Sequence, residues 1–392
     1  MASTPMDIDA PGSSTPNGNL LQVSRAPGGS TSQLSEVIST FRPTKLFRRE
    51  HLKEGQAKPH VLSLDFDDPG ELLMTSESDE TIQIYNVKEG VHNKTLMSKK
   101  YGVKLAKFTH TSSSIIYAST KQNDAIRYLA THDNSFIRYF EGHEGRVTCI
   151  ATHPGNDNFI SCSQDNTVRL WNVSSKQWVG QLFLNSPYLA AYDPSGNVFA
   201  VASPTAGSVL LYDCKNFDKA PFSVFDVVEQ CRGVGDAEHL MKGWTKLEFS
   251  NDGKSLLVGT RGAGHFLLDA FDGTLKAYLR KPEGGTSRLA PGENPTVSNG
   301  SSRGGGATYE SSGECCFTPD GRFVISGTKK GVIGWDVNST AAPGVTDNLK
   351  VKDPSFTLED KREAAVLAFN PRYNHFATAD EDVVFWVPDQ GY

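Results

Sequence analysis

The feature that most constrains this chain is an internal repeat of about 40 residues, most complete in EGHEGRVTCIATHPGNDNFISCSQDNTVRLWN. That unit opens on Gly142 and His143. It continues through an apolar run at Val147–Ala151, a turn at Pro154–Asn156, a second run at Phe159–Ser163, Asp165, and a third run ending at Trp171. Weaker copies keep the same order of parts and end at Tyr85, Leu129, Tyr212, Leu268, Trp335 and Trp386, making seven units. The first four ends lie 41 to 44 residues apart, and the later spacings are longer, so insertions are expected there. Turn signals separate the runs: Asp193-Pro194-Ser195-Gly196, Asn251-Asp252-Gly253 and Pro319-Asp320-Gly321. A repeat of this length holding several short strands cannot bury its faces alone, whereas a closed ring of such units buries them against one another. The chain is therefore expected to be all-β, a seven-bladed propeller. Only six residues follow Trp386, so the outer strand of the last blade must come from elsewhere. Thr44–Arg48 stands before the first unit as Ser135–Tyr139 stands before the third, and is expected to supply it.

Composition limits function. With 39 Lys plus Arg against 45 Asp plus Glu, the net charge of -6 gives no general attraction to nucleic acid or anionic lipid, so any basic site must be local. The six cysteines show no CxxC spacing, and the Cys315-Cys316 pair lies in a short strand-like run, which favours core filling over a redox or metal site. No cofactor is expected. No apolar run is long enough to cross a bilayer and the start lacks a secretory signal, so a cytoplasmic or nuclear protein is expected. Residues 1–35, rich in Ser, Thr, Pro and Gly, read as a disordered tail, with the propeller over 36–392. Residues 281–312 read as a mobile Gly/Ser-rich loop insertion, and Phe225–Gly243 as a milder one.

The third unit closely resembles the WD-repeat consensus, with Trp171-Asn172 where Trp-Asp is usual. Its His143, a serine of the second run (Ser161 or Ser163), Asp165 and Trp171 have the makings of a catalytic triad. In the WD-repeat family this set forms a buried structural tetrad, and that resemblance implies His143, Ser161, Asp165 and Trp171 here. No HExxH, GxSxG, Walker or Rossmann fingerprint occurs, and no catalytic activity is expected.

Four motifs, FRPTKLF (41–47), SKKYGV (98–103), AIRYLATHDNSFIRYFEGH (125–143) and NFDKAPF (216–222), resemble one family. It is the WD-repeat subunit shared by COMPASS, the SET-domain histone lysine-4 methyltransferase complex, and the cleavage and polyadenylation factor. The resemblance runs from about Phe41 to Trp386, leaving out the tail and the Gly/Ser loop. It implies a non-catalytic nuclear scaffold that docks the methyltransferase beside other COMPASS subunits. It also implies work with a phosphatase module in transcription termination and binding to the phosphorylated tail of RNA polymerase II, without sequence-specific nucleic-acid contact. Two rivals fit less well. A cullin ubiquitin-ligase substrate receptor typically carries Trp-Asp-x-Arg, but the blade ends here read Trp171-Asn172-Val173-Ser174 and Trp335-Asp336-Val337-Asn338. A G-protein β subunit needs an N-terminal coiled coil, and the tail has no heptads.

In a propeller the connectors into each first strand and the turns between second and third strands share one face. By alignment with the third unit, that face collects Lys99, Lys100, Lys121, Arg146, Arg261, Lys329 and Lys330, with Tyr101, Tyr188 and Trp244 near the rim. Cations among aromatics suit an acidic or phosphorylated extended peptide, although Glu144, Asp380 and Glu381 weaken the field.

Overall fold

The structure, a computed structural model, describes residues 33–49, 58–231, 243–293, 309–339 and 350–389. Its strands form seven sheets in chain order, antiparallel except for one short added strand. The first holds Val61–Phe66, Leu72–Glu77, Thr81–Asn86 and Val91–Met97. Each sequence unit is one such blade: Tyr85, Leu129, Trp171, Tyr212, Leu268, Trp335 and Trp386 all lie in third strands. The second strands are almost wholly buried, and Ser255–Thr260 and Phe323–Thr328 are buried at every position, because both of their faces meet a neighbouring blade. Outer strands such as Val91–Met97 are mostly open. Seven apolar clusters follow, one in each gap between adjacent blades.

The gap between the last and first blades is filled like the others, by Val61, Leu73, Ala377 and Phe385 among others. Closure is the work of Phe41–Phe47, which pairs antiparallel with Val383–Pro388 as the outer strand of the seventh blade. Phe41 is fully buried and stacks on Phe376 at 5.3 Å. Phe47 packs against Phe385 at 4.9 Å and against Tyr85 of the first blade at 4.7 Å, so the strand touches both sides of the seam. Pro43 sits beside the register shift at Lys45, where a missing N–H is tolerated on an edge strand.

The expected tail boundary moves slightly: Leu34 and Val37 of the short helix Leu34–Val37 already pack on the cluster between the sixth and seventh blades, and residues 1–32 lie outside the described residues. Of the milder insertion, Phe225 belongs to the outer strand Ser223–Asp226 of the fourth blade. The helix Val227–Gln230 follows, and 232–242 lie outside the described residues. The fifth blade carries an extra strand, Val351–Lys352, parallel to its Leu275–Arg280 edge. Cys315 and Cys316 face opposite gaps as core residues, and burial pushes both thiols well up from their ordinary value.

Candidate functional site

In the third blade, His143, Ser161, Asp165 and Trp171 make one hydrogen-bonded chain. The imidazole Nδ1 meets the Asp165 carboxylate at 2.9 Å, its Nε2 meets the Ser161 hydroxyl at 2.7 Å, and Trp171 Nε1 donates to the same hydroxyl at 2.8 Å. One protonation pattern satisfies all four: Nδ1–H donates to Asp165 and the Ser161 O–H donates to Nε2. Burial works against the Asp165 carboxylate. Hydrogen bonds from Thr167, the Glu144 N–H and His143 outweigh it and hold the pKa down at about 2. Burial likewise lowers the His143 pKa, with Asp165 opposing. Ser161 is fully buried, so its oxygen is enclosed as a structural acceptor and donor rather than presented to a substrate.

On the face bearing the inter-strand turns, the residues singled out divide into three groups. Lys99, Lys100 and Tyr101 lie on the connector between the first and second blades. Lys100 Nζ is 5.1 Å from the Tyr101 ring, which also meets the Arg127 guanidinium at 3.4 Å and the Phe136 ring at 5.4 Å. The Tyr101 carbonyl accepts from the backbone of Lys121 at 2.9 Å, which joins the 119–125 turn to this group. Both lysines are exposed and have no ion pair among the described residues. Lys121 and Arg146 line a 420 Å³ cavity between the second and third blades, and each is already paired, Lys121 with Glu80 at 2.8 Å and Arg146 with Glu310 at 2.8 Å. Arg261, on the fifth blade, pairs with Glu293 at 2.5 Å. Tyr188 is half-buried against Gly292, and Lys329 and Lys330 are exposed on the sixth blade.

Trp244 corrects the sequence reading. It is fully buried in the gap between the fourth and fifth blades and offers nothing to a partner. The register shift between Trp244 and Lys246 turns its ring inward, which strict alternation from Leu247 does not anticipate.

The larger change comes from the Gly/Ser-rich insertion. Residues 294–308 lie outside the described residues, but the flanks 281–293 and 309–312, expected to be mobile, are packed across the turn-bearing face. Lys281 is buried with Glu314 at 3.8 Å. Ser287 donates to Glu363 from its backbone at 2.5 Å, ahead of the seventh blade. Arg288, almost wholly buried, reaches the closure seam, donating to the Val61 carbonyl at 2.9 Å and to Asp380 at 2.5 Å. Leu289 and Tyr309 join the two limbs through a backbone bond of 2.9 Å. Glu310 then ends between Lys104 and Arg146, at 3.2 and 2.8 Å. Lys104, Arg288 and Glu310 escaped sequence reasoning; Arg288 and Glu310 are signalled only as charged residues flanking a low-complexity stretch, and Lys104 only as a lysine opening an inner strand.

A family model described as "WD domain, G-beta repeat" matches residues 49–86 and 134–172, the first and third units. Set1 complex component swd2 of Schizosaccharomyces pombe is 33% identical over 378 residues, covering 90% of this chain and 98% of that protein. COMPASS component SWD2 of Saccharomyces cerevisiae is 36% identical over 363 residues, covering 90% and 99%. WD repeat-containing protein 82 of Drosophila melanogaster is 33% identical over 357 residues, covering 91% and 96%. With likeness at that level along nearly the whole of both chains, this seven-bladed propeller belongs to the WD-repeat family of swd2, SWD2 and WD repeat-containing protein 82.

Proposed function

We propose that this chain is the non-catalytic WD-repeat scaffold of a Set1/COMPASS-type histone lysine-4 methyltransferase complex. It acts in the nucleus by docking the SET-domain subunit and other COMPASS subunits. The observation that carries this reading is the end-to-end correspondence with two proteins named as Set1 and COMPASS components. The same reading extends to partners in 3'-end processing: the cleavage and polyadenylation factor, a phosphatase module and the phosphorylated tail of RNA polymerase II. The turn-bearing face supports it physically. Lys99 and Lys100 beside Tyr101 are exposed cations with no ion pair among the described residues, next to an aromatic on which an extended chain can lie. Pairing to such exposed charges chiefly sets association rate and specificity.

The test is affinity purification of the tagged chain from nuclear extract, wild type against the Lys99→Glu/Lys100→Glu double variant. Methyltransferase subunits should copurify with the wild type, and recovery should fall at least fivefold with the variant at an unchanged melting temperature. Cullin adaptors in place of methyltransferase subunits would overturn the assignment in favour of a ubiquitin-ligase receptor. Equal recovery with both chains would remove Lys99 and Lys100 from the docking surface.

A further inference from the structure

The cations that line the cavity between the second and third blades are balanced in an unusual way. Lys104 begins the inner strand Lys104–Phe108, and its ammonium is largely buried, at 14% side-chain exposure. Arg146 leads into the inner strand Val147–Thr152 of the third blade and is half open, at 55%. Among the described residues neither makes an ion pair with a carboxylate of its own blade, although Asp124 of the second blade adds a longer-range attraction to Lys104. A single Glu310, delivered by the insertion from between the fifth and sixth blades, bridges them. One oxygen lies 3.2 Å from Lys104 Nζ, and the other lies 2.8 Å from Arg146 and 3.2 Å from the Gly292 N–H. An amine as enclosed as Lys104 needs an anion beside it, since burial otherwise drives it towards the neutral form. Beyond Glu310 the cavity stays open, with 420 Å³ lined by Lys121, Ser119, Thr120 and Asn123.

A carboxylate with two cations and a backbone N–H around it, at the mouth of a cavity with room to continue, has the arrangement of a bound ligand. We propose that the Lys104–Arg146 cleft is a binding site for a carboxylate of an acidic extended segment of a partner protein. Glu310 of the insertion holds it as an intramolecular competitor. This inference rests on the reading of the turn-bearing face as a docking surface. A carboxylate is favoured over a phosphate for two reasons: the occupant is itself a carboxylate, and Asp124 also lines the cavity, which disfavours a second negative charge on the ligand. Occupation by a partner displaces Glu310 and loosens the two limbs of the insertion, which are joined by Leu289 N–H to the Tyr309 carbonyl and Ser311 N–H to the Leu289 carbonyl. The affinity that a partner shows is then reduced by the fraction of chains in which Glu310 is in place.

The probe is a fluorescein-labelled peptide of six glutamates, titrated into the full chain and followed by anisotropy. Glu310→Gln, which keeps the side-chain volume and removes the charge, should bind it about tenfold more tightly than wild type. Adding Arg146→Gln should return the affinity to the wild-type level. In the unmodified chain, saturating peptide should speed amide hydrogen exchange at Leu289 and Ser311, a readout that does not depend on any variant folding. The proposal is overturned by unchanged exchange at those two amides, by a folded Glu310→Gln chain that binds no better, or by a gain that survives Arg146→Gln. Inorganic phosphate displacing the peptide at equal ionic strength would overturn the choice of carboxylate. A tenfold gain in Glu310→Gln together with normal methyltransferase recovery by Lys99→Glu/Lys100→Glu would leave the cleft standing and remove Lys99 and Lys100 from the docking surface. Loss of recovery without the gain would do the opposite.

Discussion

At the scale of single residues, stability depends on buried polar groups that are either fully partnered or held neutral. Asp165 is the partnered case, since its carboxylate accepts from His143, the Glu144 N–H, Thr167 Oγ1 and the Thr167 N–H. Asp165→Ala leaves the imidazole and two N–H groups without their acceptor, at a cost of roughly 1–3 kcal/mol in urea unfolding. An unchanged unfolding midpoint would show the tetrad to be dispensable. His375 is the neutral case. It is buried, and neither ring nitrogen has a hydrogen-bond partner among the described residues. Burial pushes its pKa down to about 4 from the ordinary 6.5. Between those values the unfolded chain binds the proton and the folded one does not, so stability is complete above pH 6.5 and drains away as pH falls towards 4. Glu77, raised to about 7 by burial against the opposing Arg49, acts with the other sign in the same window, so the whole-protein curve mixes the two. The difference between wild type and His375→Gln separates them. Thermal unfolding should show the wild type losing ground to the variant from pH 6.5 down to 4, and parallel curves would sink the assignment.

At the scale of elements, what could be read in advance follows from the range of the signal. Third strands ending at Tyr85, Trp171 or Trp386 announce themselves through runs of β-branched and aromatic residues, and the turn between the first and second strands of the fifth blade through Asn251-Asp252-Gly253. There Gly253 adopts φ +70°, and Asp252 accepts the Lys254 N–H at 3.1 Å. These are local facts, and sequence carries them. Trp244 fails because its orientation depends on a bulge, a property of two paired strands rather than of one. Val351–Lys352 fails because two residues on a neighbouring blade's edge have no periodicity to detect. The insertion fails for a different reason. Its Gly and Ser content argues correctly against a core of its own, but Arg288 and Glu310 are held by Asp380, Lys104 and Arg146, which lie elsewhere in the chain. The basic residues of the face were legible one at a time, whereas their neutralisation by Glu293 and Glu310 was not.

At the scale of the whole molecule, the ring is stable only when every gap is filled, because each blade's second strand is apolar on both faces. Seven gaps are filled by seven clusters, and the one gap that the chain cannot close by simple continuation is the seam between the last blade and the first. Three separate features meet there. The strand Phe41–Phe47 hydrogen-bonds to Val383–Pro388, Phe47 wedges between Phe385 and Tyr85, and Arg288 ties Asp380 to the Val61 carbonyl. Removing the strand exposes the Val383–Pro388 edge and uncovers Phe376 in the gap towards the sixth blade and Phe385 in the gap towards the first, so the damage reaches both neighbouring gaps. Replacing Phe41 alone by Ala should cost roughly 3–5 kcal/mol, the range for truncating a fully buried Phe. A chain beginning at His51 loses that packing and the strand's hydrogen bonds together. Its urea unfolding should begin well below the wild-type midpoint and lose its single cooperative step, since a ring opened at one seam can fray blade by blade. A synthetic peptide of residues 33–49, added in excess, should pair with the vacant edge and restore the midpoint in a concentration-dependent way. The decisive comparison is the truncated chain without peptide: if it unfolds at the wild-type midpoint and with the wild-type slope, the ring does not depend on its N-terminal strand for closure.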